Sequence, residues 1–141
     1  MKKETVKILL IDDDTTDRQL FVEAVKSTRI PSIVIEASSG EKAIEILKKC
    51  DADFPHCIFL DLNMPIMDGR ETLKLIKSSD QLKSVPVFIM STTASPNDVS
   101  TSYKTGVNLF LEKPADFNDF VELLECILTI FHKSVVLPKN C

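Results

Sequence analysis

Five residues whose side chains could act together, Asp12, Asp13, Asp61, Ser91 and Lys113, each stand at or just beyond the end of a short apolar run. Val6–Ile11 delivers Asp12 and Asp13, and Cys57–Leu60 delivers Asp61. The run ending at Met90 delivers Ser91, and the one ending at Leu111 is followed by Glu112, Lys113 and Pro114. Three carboxylates brought to one point repel one another. A hard divalent cation with oxygen ligands is the natural counter-charge, and Mg²⁺ typically takes one or two carboxylates plus water and phosphate oxygens. Asp13 and Asp61 are assigned as direct ligands, the backbone carbonyl of Asn63 as a third, and Asp12 as a ligand through water. The Asp61 carboxylate can then attack phosphorus in line to form an acyl phosphate. The cation and the Lys113 ammonium offset charge on the transferring oxygens, and the Ser91 hydroxyl donates to one of them.

Singly, each residue has an ordinary explanation. An aspartate after a strand usually serves a turn or a helix cap. Asp14, Asp17 and Asp68 are read that way, because helix N-termini favour acids. It is the recurrence of such residues at successive strand ends that argues for one site.

The elements that must position them alternate strictly. The runs Val6–Ile11, Ser32–Ala37, Cys57–Leu60, Val85–Met90 and Asn108–Leu111 read as strands, and near-continuous hydrophobicity suits strands covered on both faces. Between them lie helices. Asp14 starts the first, with Leu20, Phe21, Ala24 and Val25 as its buried stripe. Ser38 and Glu41 form a capping box for the second, with Ala43, Ile44, Ile46 and Leu47 inward. Asp68 and Glu71 start the third, which carries Leu73 and Ile76. Ser95-Pro96-Asn97-Asp98 starts the fourth. Asp116 starts the fifth, with Phe117, Phe120, Val121, Leu124, Ile127 and Leu128 inward. Five β-α units predict a parallel α/β sheet with helices on both faces, and ligands beyond the strands' C-terminal ends.

Length and composition agree. A chain of 141 residues, 44% hydrophobic and 27% charged, is expected to be one soluble domain. Its net charge of −4 argues against nucleic acid as main partner, and no stretch is long and apolar enough to span a membrane. Cys50, Cys57, Cys126 and Cys141 lack metal-ligand spacing; they are read as free thiols of a cytoplasmic protein, the first three buried.

The runs Leu10-Ile11-Asp12-Asp13, Phe59-Leu60-Asp61-Leu62-Asn63-Met64-Pro65-Ile66-Met67-Asp68-Gly69 and Phe110-Leu111-Glu112-Lys113-Pro114 resemble the receiver domain of two-component response regulators. The resemblance implies a flavodoxin-like doubly wound sheet of strand order 2-1-3-4-5, with residues 1–131 as receiver domain and 132–141 as a short tail. It implies Asp61 as phosphoacceptor, supplied by a sensor histidine kinase or a histidine phosphotransfer protein. It makes Asp12 and Asp13 the acidic pair for Mg²⁺, and Lys113 the phosphate-binding lysine. Ser91 and Phe110 are the switch residues, and Asn63 and Thr93 the positions that tune phosphoryl lifetime.

Relatives usually hold the bond matching Lys113–Pro114 in cis, although cis is the minority form of an X-Pro bond in general. The stretch from Ser91 to Tyr103 resembles stand-alone regulators paired with phytochrome-type kinases. With no output domain expected, the chain acts by docking to a protein target, by passing phosphate onward, or as a candidate homodimer. The fourth helix carries only Val99 and Tyr103 as large apolar side chains after Pro96, so it is the segment expected to shift. His56 and His132 are read as surface or loop residues and not as phosphodonors.

Two rivals stay open at this point. Asp12-Asp13-Asp14-Thr15-Thr16 fits the DxDxT nucleophile motif of haloacid-dehalogenase phosphatases, which makes Asp12 the nucleophile and leaves the Asp61 segment unexplained. A receiver-like module that no longer takes phosphate is the other.

Overall fold

The computed structural model describes residues 4–64 and 68–139. In chain order the elements are β1 (Val6–Ile11), α1 (Thr15–Ser27), β2 (Ser32–Ala37), α2 (Gly40–Lys49), β3 (Cys57–Leu60), α3 (Gly69–Ser78), β4 (Val87–Ser91), α4 (Pro96–Thr105), β5 (Leu109–Glu112) and α5 (Phe117–Lys133). The strands form one parallel sheet of order β2-β1-β3-β4-β5. This is the doubly wound arrangement, and its strand order reverses between β1 and β3.

Continuous hydrophobicity in the strands has a direct cause. Successive side chains of a strand point to opposite faces, and both faces are covered. Leu9, Ile11, Ile58, Leu60, Val87 and Ile89 join Ala43 and Leu47 of α2 and Leu73 and Ile76 of α3 in one core layer. Ile8, Leu10, Phe59 and Phe88 join Phe21 and Ala24 of α1 and Phe120, Leu124 and Leu128 of α5 in the other. The second layer is aromatic: Phe59 lies 5.1 Å from Phe21 and 5.3 Å from Phe88, ring centre to ring centre, and Phe131 lies 5.9 Å beyond Phe88.

Helix starts follow capping chemistry, in which a side-chain oxygen accepts an otherwise unpaired N–H of the first turn. Asp14 accepts from Asp17, Asp68 from Glu71, Ser95 from Asp98, and Asp116 from Asn118 and Asp119. For α2 the cap is Ser39, accepting from Lys42, one residue later than expected; Ser38 instead accepts from the Lys42 ammonium. Four expected inward or buried positions are corrected: Leu20 and Phe117 lie on the outer faces of their helices, Cys126 is exposed, and Cys50 is only half-buried. Strand β4 starts two residues later than expected and ends at Ser91, and α5 continues to Lys133. No peptide bond among the described residues is cis, so Lys113–Pro114 is trans. Cys57 is a free buried thiol, but Cys50 is disulfide-bonded, which corrects the reading of free thiols throughout.

Helix α4 is held differently from the rest. Its one buried residue is Ser102, so ion pairs and hydrogen bonds replace apolar packing. The Arg70 guanidinium of α3 meets Asp98 at 2.9 Å and holds that carboxyl below the usual range. The Tyr103 hydroxyl accepts the Phe110 N–H of edge strand β5 at 3.0 Å.

Just after α4, Asn108 accepts the Val87 N–H at 2.8 Å and the Lys77 ammonium at 3.1 Å with one side-chain oxygen. That ammonium also donates to the Lys83 and Val85 carbonyls. Removing an acceptor from partly buried donors costs their desolvation. Asn108→Ala is therefore expected to lower unfolding free energy by about 1–3 kcal/mol, as read by urea titration.

Candidate functional site

Backbone hydrogen bonds that continue the ladders past the strand ends place each side chain of the site. Asp12 N–H donates to the Ala37 carbonyl, and Asp61 N–H to the Ile11 carbonyl at 2.9 Å. Ile11 and Leu60 are register partners, so the residues that follow them emerge side by side. Carboxylate oxygens of Asp12, Asp13 and Asp61 consequently lie within 4.8 Å of one another. On the far side, Lys113 N–H donates to the Ser91 carbonyl at 2.8 Å, which fixes the root of the lysine to the tip of β4.

Asp12, Asp61 and Lys113 line a small cavity of about 30 Å³, floored by Leu60, Phe59 and Phe120; that volume holds about one water. Asp13 stands at its exposed rim. Ser91 is buried, its hydroxyl accepting the Thr93 N–H at 3.3 Å. Asn63 is exposed, and its N–H donates to the Asp61 carboxylate at 3.1 Å. Phe110 is half-buried against the α2–α3 core layer. The acids and the lysine are thus brought together, whereas Ser91, Thr93, Asn63 and Phe110 do not line that cavity.

The electrostatics are those of a site short of positive charge. Asp12 is pushed up to about 6, first by burial and then by the charges of Asp61, Asp17 and Asp13, against a bond from the Asp14 N–H. Asp61 is raised by burial and by Asp13 and Asp17, while the Asn63 N–H and Lys113 oppose the rise. None of Asp12, Asp13 or Asp61 forms an ion pair with a basic side chain among the described residues. Three oxygen donors of one sign, two of them with raised affinity for protons, suit a hard divalent cation.

Two contributors were not recognised in the sequence. Asp17, set aside as a helix-start acid, lines the cavity, and its carboxylate lies 3.7 Å from the Lys113 ammonium. Its position one turn into a helix that begins at the site was the available signal. Gly69 packs against the phosphoacceptor candidate: a Cβ there would stand 2.1 Å from the Asp61 carbonyl oxygen and 2.5 Å from the Leu62 Cα. A poor helix former at the first helical position was its signal.

A doubly wound sheet that gathers three carboxylates and a lysine at its switch point has the parts of a phosphoacceptor module of the two-component type. The chain belongs to the response regulator receiver domain family, whose model matches residues 8–125. It is 33% identical over 135 residues to the response regulator Rcp1 of Synechocystis, covering 93% of this chain and 92% of that one. It is 30% identical to the chemotaxis protein CheY1 of Helicobacter pylori, over 87% of this chain and 97% of the other. Among solved structures, the phosphorylated cyanobacterial phytochrome response regulator RcpA superposes with a TM-score of 0.85 at 32% identity, over 96% and 99% of the two chains. The Mn²⁺-bound form of Rcp1 gives 0.79 at 33% identity, with the same coverage. These likenesses leave the phosphatase reading of residues 12–16 without support. Members of the family are phosphoacceptor signalling domains and not conventional enzymes. No helix among the described residues is long and apolar enough to cross a membrane.

The raised Asp12 value has a stability consequence. A carboxyl that holds its proton more tightly folded than unfolded favours the folded state below its unfolded pKa, and that benefit is lost as pH rises through the folded one. In chelator, the contribution of Asp12 should therefore decline between about pH 4 and 6. Asp12→Asn should abolish this decline and exceed the parent at pH 7.5 by roughly 1 kcal/mol, allowing for partial exposure. Urea titrations at about pH 4 and at pH 7.5 check it; a less stable Asn variant at pH 7.5 would contradict the repulsion argument.

Proposed function

We propose that this receiver accepts a phosphoryl group on Asp61 from a phosphohistidine, in an Mg²⁺-dependent reaction in the cytoplasm, and signals by reshaping the surface formed by α4, β5 and α5. The donor is a sensor histidine kinase or a histidine phosphotransfer protein. Because relatives at 32% and 29% identity are a cyanobacterial phytochrome and a bacteriophytochrome response regulator, a phytochrome-type kinase is the donor class we favour. The downstream target is a protein, with a second copy of the chain as one candidate.

One observation carries this reading: carboxylate oxygens of residues 12, 13 and 61 lie within 4.8 Å of one another, and Lys113 lines the same pocket as Asp12 and Asp61. In the proposed chemistry an Asp61 oxygen attacks phosphorus in line, the P–N bond to the donor imidazole breaks, and the imidazole leaves. Asp12, Asp13, Asp61 and the Asn63 carbonyl hold the ion. When bound, Mg²⁺ supplies the positive charge that lets carboxylates and phosphoryl oxygens approach. Lys113 pairs with a phosphoryl oxygen, and Ser91 turns its hydroxyl from the Thr93 N–H to another. The chain catalyses only its own phosphorylation and dephosphorylation.

The switch follows from how weakly α4 is packed. Moving Ser91 vacates space beside the half-buried Phe110, whose N–H is tied to Tyr103 of α4. A shift of the ring is therefore felt by the helix with the least apolar anchorage. Asn63 and Thr93 flank the path of attacking water. Thr93 has no carboxylate to orient that water.

Incubation with acetyl phosphate and Mg²⁺ should give one retarded band on a phosphate-affinity gel, absent in Asp61→Asn. A retained band that maps to Asp12 would refute the assignment. Ser91→Ala should still accept phosphate yet show equal target affinity with and without it. Thr93→Glu should shorten the phosphoprotein half-life, as followed by loss of acid-labile phosphate.

A further inference from the structure

Lys113 shares a pocket with Asp61 but forms no ion pair with it. Its ion pair runs to Asp17 of α1 at 3.7 Å, and its ammonium lies 5.4 Å from the centre of the Phe120 ring of α5. The ammonium is thus held between two helices on the α1–α5 side. All of these groups belong to the pocket that contains Asp61. The lysine side chain is 20% exposed and that of Asp17 46%, so the pair is open enough to break without stranding a buried charge. Helix α1 is itself anchored beside the site by Arg18, which donates to the Asp12 carbonyl at 2.8 Å and meets Glu36 of β2 at 3.2 Å. Asp17 therefore sits on an anchored helix beside a partly exposed cation.

We infer that Asp17 is a positioning residue: it holds the Lys113 ammonium in the unphosphorylated protein and releases it to the phosphoryl group on Asp61. This rests on the phosphoacceptor reading above and adds a competitor to it. Before phosphorylation the ammonium shares its pocket with two acids, Asp17 on α1 and Asp61 just after β3. Afterwards the phosphoryl oxygens carry more negative charge than the Asp17 carboxylate, and the cation moves to them. Breaking the Asp17 pair is a cost that phosphorylation must meet, so Asp17 sets a threshold against activation by weak donors. No proton or covalent bond changes hands in the transfer.

Exposed ion pairs of this kind contribute little to stability, so the effect on ligand binding is modest. Beryllium fluoride, with Mg²⁺ at saturation, serves as the phosphoryl mimic. Asp17→Asn should tighten its binding by about two- to fivefold, and Asp17→Glu should restore parent affinity. The 13C–1H signal of the Lys113 Cε reports the position of the ammonium directly. It should differ between the parent and Asp17→Asn in the free proteins, and coincide in their beryllium fluoride complexes.

A residue that served only the start of α1 would change thermal stability and leave the Lys113 signal alone. Unchanged or weaker binding in Asp17→Asn overturns the inference. So do complexes whose Lys113 signals differ as much as those of the free proteins, since the pair would then persist. If the parent protein fails to bind beryllium fluoride at all, the phosphoacceptor reading itself falls, which is a distinguishable result.

Discussion

Repulsion among three carboxylates is the constraint around which this protein is arranged. It exists because Ile11 and Leu60 are partners in adjacent parallel strands, so the acids that follow them have nowhere to go but toward each other. The ladder bonds from Asp12 to Ala37 and from Asp61 to Ile11 leave the backbone no slack to relieve it. A protein designed for stability alone would not place Asp12 where burial and three like charges push its pKa up to about 6. The strain is local, and the two core layers below it are apolar and closely packed. That division of labour, a rigid floor and an electrostatically unfavourable roof, is what makes the roof responsive to added positive charge.

The same logic explains why the site is built from strand ends. A strand tip fixed by hydrogen bonds on both sides positions a carboxylate more closely than a loop can. Gly69 extends this control: lacking a Cβ, it lets the start of α3 close onto the Asp61 carbonyl, with its own N–H donating to Leu62. The opposite wall is looser. Lys113 is rooted at Ser91 by its backbone, while its ammonium is held only by an exposed ion pair to Asp17.

Much of this was legible before any coordinates. Alternating apolar runs and capping residues specified five β-α units, because burial on both faces and N-cap chemistry are local requirements that leave local marks. Asp12 and Asp61 were legible for the same reason, each following a strand directly, and Asp13 one residue further on. What the sequence did not disclose depends on contacts between distant segments. The partner of Lys113 lies far away along the chain, on α1. Asn108 reads as a loop residue until its oxygen is seen to serve both Val87 and Lys77. The shift of the α2 cap from Ser38 to Ser39 reflects two adjacent serines equally able to cap. Leu20 and Phe117 were misplaced because an apolar stripe can extend past the face a helix actually buries.

One further property follows from the unequal composition of the two core layers. On the α1–α5 side, rings run from the pocket floor through Phe120, Phe21, Phe59 and Phe88 to Phe131 near the end of α5. Flat rings in tilted contact resist sliding because their edges and faces must stay matched. The layer beneath α2 and α3 is mostly aliphatic, and among the described residues it holds no such chain of rings. The pocket is thus backed toward α1 and α5 by a chain of packed rings, whereas on the opposite flank α4 is fastened mainly by polar ties.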